Sequence, residues 1–184
     1  MKATDFKREL FTKRLQLRKF KESDAQYISD LLKFKEVAST TLMLPFPCPV
    51  DKAEKMILEY LDDEKQQKVM RWAITKQEDN EFIGGIRLVP NSLFNSAEIG
   101  FWLGKPFWRN GYTYEAAMKV IEFGFTELNL NRFVAHSMTE NSSSIRLLEK
   151  LGFSQEGLHP ELVIKWGVYK DVMTFGQLRK NYVK

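Results

Sequence analysis

The sequence predicts a single α+β domain with a central mixed, mostly antiparallel sheet flanked by helices. Three strand-like runs follow one another through short turns between Val69 and Leu103, which is typical of an antiparallel meander. A helix, a strand and a further helix come next, at the length of a crossover between parallel strands. With 184 residues and no linker, repeat or low-complexity tract, the chain is expected to form one domain over residues 1–184.

Composition excludes several classes of protein. No apolar run approaches the ~18 residues that span a bilayer, so we expect no membrane partner. One cysteine, Cys48, allows no internal disulfide and fits the reducing cytoplasm. The net charge of +4 is spread along the chain instead of forming a basic stripe, which argues against nucleic acid. Two distant histidines offer no metal cluster, so no metal is expected.

The first half of the chain is interpreted from alternation and helical spacing. Thr12–Phe20 alternates like a half-buried strand. A helix is expected from about residue 23 to 34, and a second one with Asp51 as its N-cap. The prolines of segment 45–49 force an irregular loop between them. The meander strands are expected at Val69–Thr75, Glu81–Val89 and Ala97–Leu103.

The second half contains the crossover and a closing hairpin. A helix is expected from the turn at Gly111 to about Leu128, with Glu115 on its water-facing side. A strand at Arg132–Met138 should pair parallel to the last meander strand. The remaining elements are a helix at Ser142–Leu151 and a hairpin of Glu161–Ile164 with Val168–Phe175.

The segment Ala97–Ala117 is the part of the sequence best suited to hold a phosphate group. It combines a strand, a Pro/Gly connection, a turn at Gly111 and the start of a helix, whose first N–H groups have no partner inside the helix. Arg109 adds a cation suited to phosphate. Alone, one glycine at a helix start favours a simple structural turn, but the strand before it and the crossover after it favour a ligand site.

Two motifs resemble those of the GNAT acyltransferases. One is W-R-N-G-Y-T-x-E-A at Trp108–Ala116, and the other is N-x-x-S-x-x-L-L-E-K-L-G-F at Asn141–Phe153. The resemblance covers nearly the whole chain and is nearest to the ribosomal-protein N-terminal (serine/alanine) acetyltransferase branch, through the motifs at Thr12–Arg18, Phe82–Ile86 and Gly167–Asp171. It implies a GNAT-like sheet that splays at one strand pair around a site for acetyl-CoA.

The resemblance also implies which residues hold the cofactor. Trp108, Gly111 and Thr113 occupy the marked positions of the family pattern Q/R-x-x-G-x-G/A, from which the tryptophan and the threonine depart. Glycine lets the backbone approach the CoA pyrophosphate, and the strand before it pairs with the pantetheine arm. The implied cofactor contacts are Phe101, Trp102, Leu103, Trp108, Arg109, Asn110, Gly111, Tyr112, Thr113, Tyr114, Asn141 and Ser144.

Two of these residues have alternative interpretations. Asn141 could simply cap the helix that follows it, because asparagine is a favoured N-cap. The resemblance instead makes its amide a cofactor contact and places Ser144 near the thioester sulfur. Many relatives carry a tyrosine as general acid where this chain has Leu148. Ser144 is then the nearest hydroxyl that could donate a proton to the leaving thiolate.

Glu98 is the candidate general base for the acceptor amine. Two-residue alternation places it on the same strand face as Gly100 and Trp102, and the glycine should leave space for a substrate. The alternative is an exposed strand residue without a catalytic role. An α-amine, with a pKa near 8, needs less help than a lysine side chain. His136 is interpreted as a structural histidine of a central strand.

These inferences predict an acetyl-CoA-dependent N-acetyltransferase in which an amine attacks the thioester directly. The expected acceptor is the N-terminal α-amine of a protein, with a ribosomal protein as the example that the resemblance suggests. The alternatives are a small amine (an amino acid, polyamine or antibiotic) and a non-catalytic CoA-binding module. The loop Thr40–Val50 and the first two helices should shape the acceptor site. A monomer and a homodimer are both compatible with the sequence.

Overall fold

The computed structural model describes residues 8–182, which form an eight-stranded mixed sheet flanked by helices. The strands are β1 (Leu10–Phe11), β2 (Leu15–Arg18), β3 (Met70–Lys76), β4 (Phe82–Asn91), β5 (Ser96–Leu103), β6 (Arg132–Met138), β7 (Ser154–Lys165) and β8 (Val168–Leu178). Their order in the sheet is β1-β2-β3-β4-β5-β6-β8-β7. Neighbouring strands are antiparallel except for β5 and β6, which are parallel. The predicted α+β class with a mostly antiparallel sheet is confirmed.

The helices are α1 (Ala25–Leu31), α2 (Lys35–Ser39), α3 (Val50–Lys65), α4 (Tyr112–Thr126) and α5 (Ser142–Lys150). The single helix predicted up to Phe34 is wrong at its end. Phe34 is extended, with φ −81° and ψ 105°, and it separates α1 from the unpredicted α2. The predicted cap at Asp51 is also wrong, because Pro49 precedes α3 and its carbonyl accepts the first helical hydrogen bonds.

The strand predictions differ from the structure in three respects. The strand β1 was not expected. The strand predicted at Thr12–Phe20 is shorter in the structure, where β2 has four residues. β7 begins at Ser154, seven residues before the predicted Glu161, because register shifts at 155–157 and 159–163 interrupt its alternation. Most of this edge strand is exposed, so it lacks the apolar pattern by which a strand is recognised.

Helices cover both faces of the sheet. One apolar core joins α4 and α5 to the sheet, and a second one joins α1, α2 and α3 to it. Trp72 and Ala73 are neighbours on β3 but belong to different cores. Since successive side chains of a strand point to opposite faces, the two cores lie on opposite sides of the sheet.

The parallel pair β5–β6 is joined only at its beginning. Its register consists of Ser96 with Arg132, Ala97 with Phe133, and Glu98 with Val134. Beyond this point β5 continues to Leu103 and β6 to Met138, without further pairing between the two strands in the described part of the chain. The strands therefore splay, as predicted, and their carboxyl halves border an opening in the middle of the sheet.

Candidate active site

A cleft of about 1070 Å³ occupies this opening. The start of α4 and the length of α5 line one half, and α3 with the loop 40–45 lines the other. Of the candidate residues, the structure brings the following together around the cleft: Glu98, Phe101, Trp102, Leu103, Trp108, Arg109, Gly111, Tyr112, Thr113, Tyr114, Asn141 and Ser144. Residues far apart in sequence thus share one cavity.

The turn before α4 exposes a set of backbone N–H groups. Arg109 and Gly111 both adopt left-handed conformations, with φ 65° and 78°. The first helical hydrogen bond runs from the N–H of Glu115 to the carbonyl of Gly111 at 3.1 Å, so the N–H groups of residues 112–114 have no partner within the helix. A Cβ at position 111 would lie 3.6 Å from Arg14 Nη2, an ordinary contact. Backbone conformation, not crowding, therefore favours glycine here.

Side chains from outside the turn hold it in place. Trp108 Nε1 donates to the carbonyl of Leu103 at 2.7 Å, which ties the turn to the end of β5. Arg14 Nη1 donates to the carbonyl of Asn110 at 3.0 Å, and its guanidinium lies 4.4 Å from the ring of Tyr112. The Asn110 side chain differs from our expectation, because its amide turns back onto carbonyls of the same loop and does not line the cleft.

Glu115 fastens the start of α4 to the N-terminal strands. Its Oε1 accepts hydrogen bonds from Thr12 Oγ1 at 2.6 Å and from the Arg14 N–H at 2.8 Å, and its Oε2 accepts one from Arg14 Nε at 2.6 Å. Burial raises the pKa of Glu115, but these hydrogen bonds outweigh it and leave the pKa lowered. The prediction that Glu115 faces water is therefore wrong, since that prediction could not include the distant Thr12 and Arg14.

Glu115→Gln is expected to lower the free energy of unfolding by about 1 kcal/mol at pH 7, because it removes a partly screened ion pair and its charged hydrogen bonds. A lowered carboxyl pKa stabilises the fold above the unfolded-state value and stops doing so as pH falls through the folded-state value. Urea unfolding between pH 7 and pH 4 should thus show a difference from wild type that shrinks toward acid. Glu54→Gln, on the exposed side of α3, is the control. A difference that is constant with pH would contradict this explanation.

Asn141 joins the two halves of the cleft. Its Oδ1 accepts a hydrogen bond from the N–H of Ser144 at 3.1 Å and so caps α5. This contact is the helix cap that the sequence analysis gave as one of two interpretations of Asn141. Its Nδ2 donates to the carbonyl of Thr40, at the end of α2, at 2.8 Å. Ser144 lines the cleft from the first turn of α5. Leu148, one turn further along, is almost fully buried.

Glu98 lies between the guanidinium of Arg87 and the imidazole of His136 on the floor of the cleft. Its Oε1 accepts a hydrogen bond from Arg87 Nη2 at 3.0 Å, and its Oε2 is 3.5 Å from His136 Nδ1. The polar contact with His136 and the charge of Arg87 lower the pKa of Glu98 against the effect of burial. The carboxyl group is therefore ionised at neutral pH.

Sequence reasoning missed Arg87 as a partner of Glu98 and gave His136 only a structural role. His136, interpreted as structural, lines the cleft two residues beyond the partner of Glu98 on β6. The sequence predicts the parallel pairing of the two strands but not its register, so it could not place His136 beside Glu98. Arg87 takes the space that we expected beside Gly100 for a substrate, since a Cβ on Gly100 would lie 3.0 Å from Arg87 Nε. Its position could not be read from the sequence.

Two further cations line the half of the cleft that contains the start of α4. Arg146 and Lys150 line the cleft from α5, and Lys150 Nζ lies 4.7 Å from the ring of Tyr114 in the first turn of α4. With Arg109, these cations give the cleft lining a positive charge that suits an anionic ligand with several phosphates. Sequence reasoning missed the two residues of α5 because an isolated surface cation carries no distinguishing pattern.

Within residues 8–182, no helix is long and apolar enough to cross a membrane. The same part of the chain contains no group of three or more histidine, cysteine, aspartate or glutamate residues arranged to hold a metal ion.

A mixed sheet that splays at one parallel pair, with a helix start directed at the opening, defines the fold of the GNAT N-acetyltransferases. The chain belongs to this family, since residues 14–154 match the acetyltransferase (GNAT) domain. It is 36% identical over 175 residues to an uncharacterized N-acetyltransferase p20 of Bacillus licheniformis, with 94% of this chain and 97% of the relative covered. The predicted enzyme class, an N-acetyltransferase with acetyl-CoA as donor, is confirmed.

Two other similar proteins are named for different acceptors. The spermidine N(1)-acetyltransferase of Vibrio cholerae is 24% identical over 170 residues, with 92% of this chain and 95% of the relative covered. The ribosomal-protein-S5-alanine acetyltransferase of Vibrio fischeri superposes with a TM-score of 0.81 at 18% identity, with 96% of this chain and 100% of that one covered. The second likeness shows the fold alone. The acceptor of this chain therefore has to be argued from its own residues.

Proposed function

We propose that this N-acetyltransferase modifies the N-terminal α-amine of a protein, with a ribosomal protein as the leading example. The observation that carries the proposal is one open cleft with three parts. These are the start of α4, which is suited to bind phosphate, the splayed end of β5 and the ionised carboxylate of Glu98. The loop 40–45 and α3 line the half of the cleft that is left for the acceptor. The fold neighbour that acts on a ribosomal protein is consistent with this acceptor.

In this proposal the start of α4 binds the pyrophosphate of acetyl-CoA. The N–H groups from Arg109 to Tyr114 are directed at the phosphate oxygens, and Gly111 lets the backbone come close to them. Arg146 and Lys150 add positive charge along the same half of the cleft. The splayed end of β5, Phe101–Leu103, offers backbone groups to the pantetheine arm because β6 no longer pairs there.

Glu98 acts as the proton acceptor for the amine. The amine must lose its proton before its nitrogen can attack the thioester carbonyl carbon, and a carboxylate kept ionised by Arg87 and His136 can take that proton directly or through water. As the carbon–sulfur bond breaks, the leaving thiolate needs a proton. Ser144 lines the cleft and carries the hydroxyl that we propose for this role, since Leu148 has none.

Acetyl transfer to a small amine is the second candidate, favoured by the relative that acetylates spermidine. A thiol-detecting dye reports CoA released when the purified chain and acetyl-CoA are mixed with an acceptor. We expect release with peptides that begin with serine or alanine, and none when the same peptides carry a blocked N-terminus and a free lysine. Release with spermidine or free amino acids but with no peptide would overturn the proposed acceptor.

The compartment proposed for this reaction is the cytoplasm. Cys48 is buried beside Met56, with the two sulfur atoms 3.8 Å apart, and burial raises the pKa of its thiol. It does not line the cleft. A buried, unreactive single cysteine is consistent with a reducing compartment and with a purely structural role for this thiol.

A further inference from the structure

We propose that the acceptor half of the cleft selects an N-terminus followed by acidic residues and rejects polyamines. This inference rests on the proposed function, because it concerns the amine-binding part of the same site. The acceptor half is the part lined by α3, the loop 40–45 and the adjoining floor of β3 and β4. Its charges, described below, carry the argument.

One face of α3 presents two lysines to the cleft. Lys52, Lys55, Met56, Glu59 and Tyr60 all line it, at helical spacings of three and four residues that place them on one side of the helix. Lys52 and Lys55 are exposed, and neither forms an ion pair with a carboxylate of residues 8–182. Glu59 is the one carboxylate that this helix contributes to the described cleft lining. The helix face therefore carries an excess of positive charge.

The arginines of the floor do not add to this excess, because each is matched by a carboxylate. Arg71 Nη1 binds Asp63 Oδ2 at 2.7 Å, and its guanidinium lies 4.5 Å from the ring of Tyr60. Arg87 binds Glu98 at 3.0 Å. The charges left in the acceptor half are consequently those of Lys52, Lys55 and Glu59 on α3, a net charge of one positive unit.

This charge distribution discriminates between classes of amine. A polyamine that places one amine beside Glu98 must accommodate further ammonium groups, and Lys52 and Lys55 repel them. A peptide with carboxylates shortly after its N-terminus instead brings negative charge to the two lysines while its own α-amine reaches Glu98. Complementary charge of this kind governs encounter and partner choice more than total affinity, and salt weakens it.

The test uses two peptides that start with serine and differ only at positions 3 and 4, which are both aspartate or both arginine. We expect kcat/KM to be about 10-fold higher for the acidic peptide at low salt, with a smaller ratio at 0.5 M NaCl. The double variant Lys52→Glu and Lys55→Glu should reverse the preference and leave the KM for acetyl-CoA unchanged. Lys13→Glu with Lys180→Glu makes the same change of charge outside the cleft and should keep the wild-type preference.

The outcomes separate the inference from the proposed function. Equal rates for the two peptides, or a preference that survives the Lys52 and Lys55 reversal, would overturn the inference and leave N-terminal acetylation standing. Acetylation of spermidine without acetylation of any peptide would overturn both. Two results together would support the acidic acceptor. The wild-type chain prefers the acidic peptide and turns over spermidine poorly, and the double variant at Lys52 and Lys55 prefers the basic peptide.

Discussion

Gly111→Asp is expected to lower the affinity for CoA by about 1000-fold. A carboxylate at this position faces the proposed pyrophosphate, and two like charges about 4 Å apart repel each other by about 4 kcal/mol at an effective dielectric constant near 20. The nearest cation, Arg14, gives little relief, because its guanidinium already binds Glu115 and lies against Tyr112. Calorimetric titration with CoA measures the effect directly.

Gly111→Asn is the matched control for this experiment. Asparagine has the shape of aspartate without its charge and tolerates the left-handed conformation that Gly111 adopts at φ 78°. We expect its affinity for CoA to stay within about 10-fold of wild type, since only modest backbone strain is added. Equal losses of CoA affinity in the two variants would mean that the shape of the new side chain, not its charge, weakens binding. Unchanged affinity in both would show that the turn does not hold the pyrophosphate.

Glu98→Gln should reduce kcat/KM for a peptide acceptor by about 100-fold at pH 7, toward the lower end of what a general base contributes. The loss should shrink above pH 9, because an α-amine with a pKa near 8 is then already neutral. Loss of the pair with Arg87 should lower the free energy of unfolding by only about 1 kcal/mol, and CoA affinity should remain close to wild type, which separates loss of the base from loss of the fold. A loss of the same size at every pH would remove Glu98 as the base.

His136→Ala provides a second readout on the same carboxylate. The contact with His136 lowers the pKa of Glu98, so its removal should raise that pKa. Since the base acts only when ionised, the fall of kcat/KM at low pH should move to higher pH, while the rate on the alkaline side is retained. If His136→Ala instead lowered kcat/KM as much as Glu98→Gln at every pH, His136 would be the proton acceptor.

The turn that forms the proposed cofactor half could be predicted because its parts are local in sequence. The turn at Gly111, the strand before it and the helix after it occupy one segment of the chain, and their geometry depends on nearest neighbours along the backbone. The motif at Asn141–Phe153 adds a second such segment. The helix α2, by contrast, was missed because no local pattern in the sequence predicts it. Its break from α1 lies at the extended and exposed Phe34, which the apolar spacing of the sequence did not distinguish from a helical residue.

The sequence by itself determined the sheet class, the crossover and the family, because these depend on periodicity and on motifs held within short segments. Only the tertiary structure decided what surrounds Glu98. Arg87 comes from one neighbouring strand and His136 from the other, and each meets the carboxylate through the strand register. Likewise, only the docking of α3 against the sheet brings its lysines to the cleft and so into the proposed acceptor half. Registers and helix docking are set by the summed packing of distant residues, so no single stretch of sequence contains them.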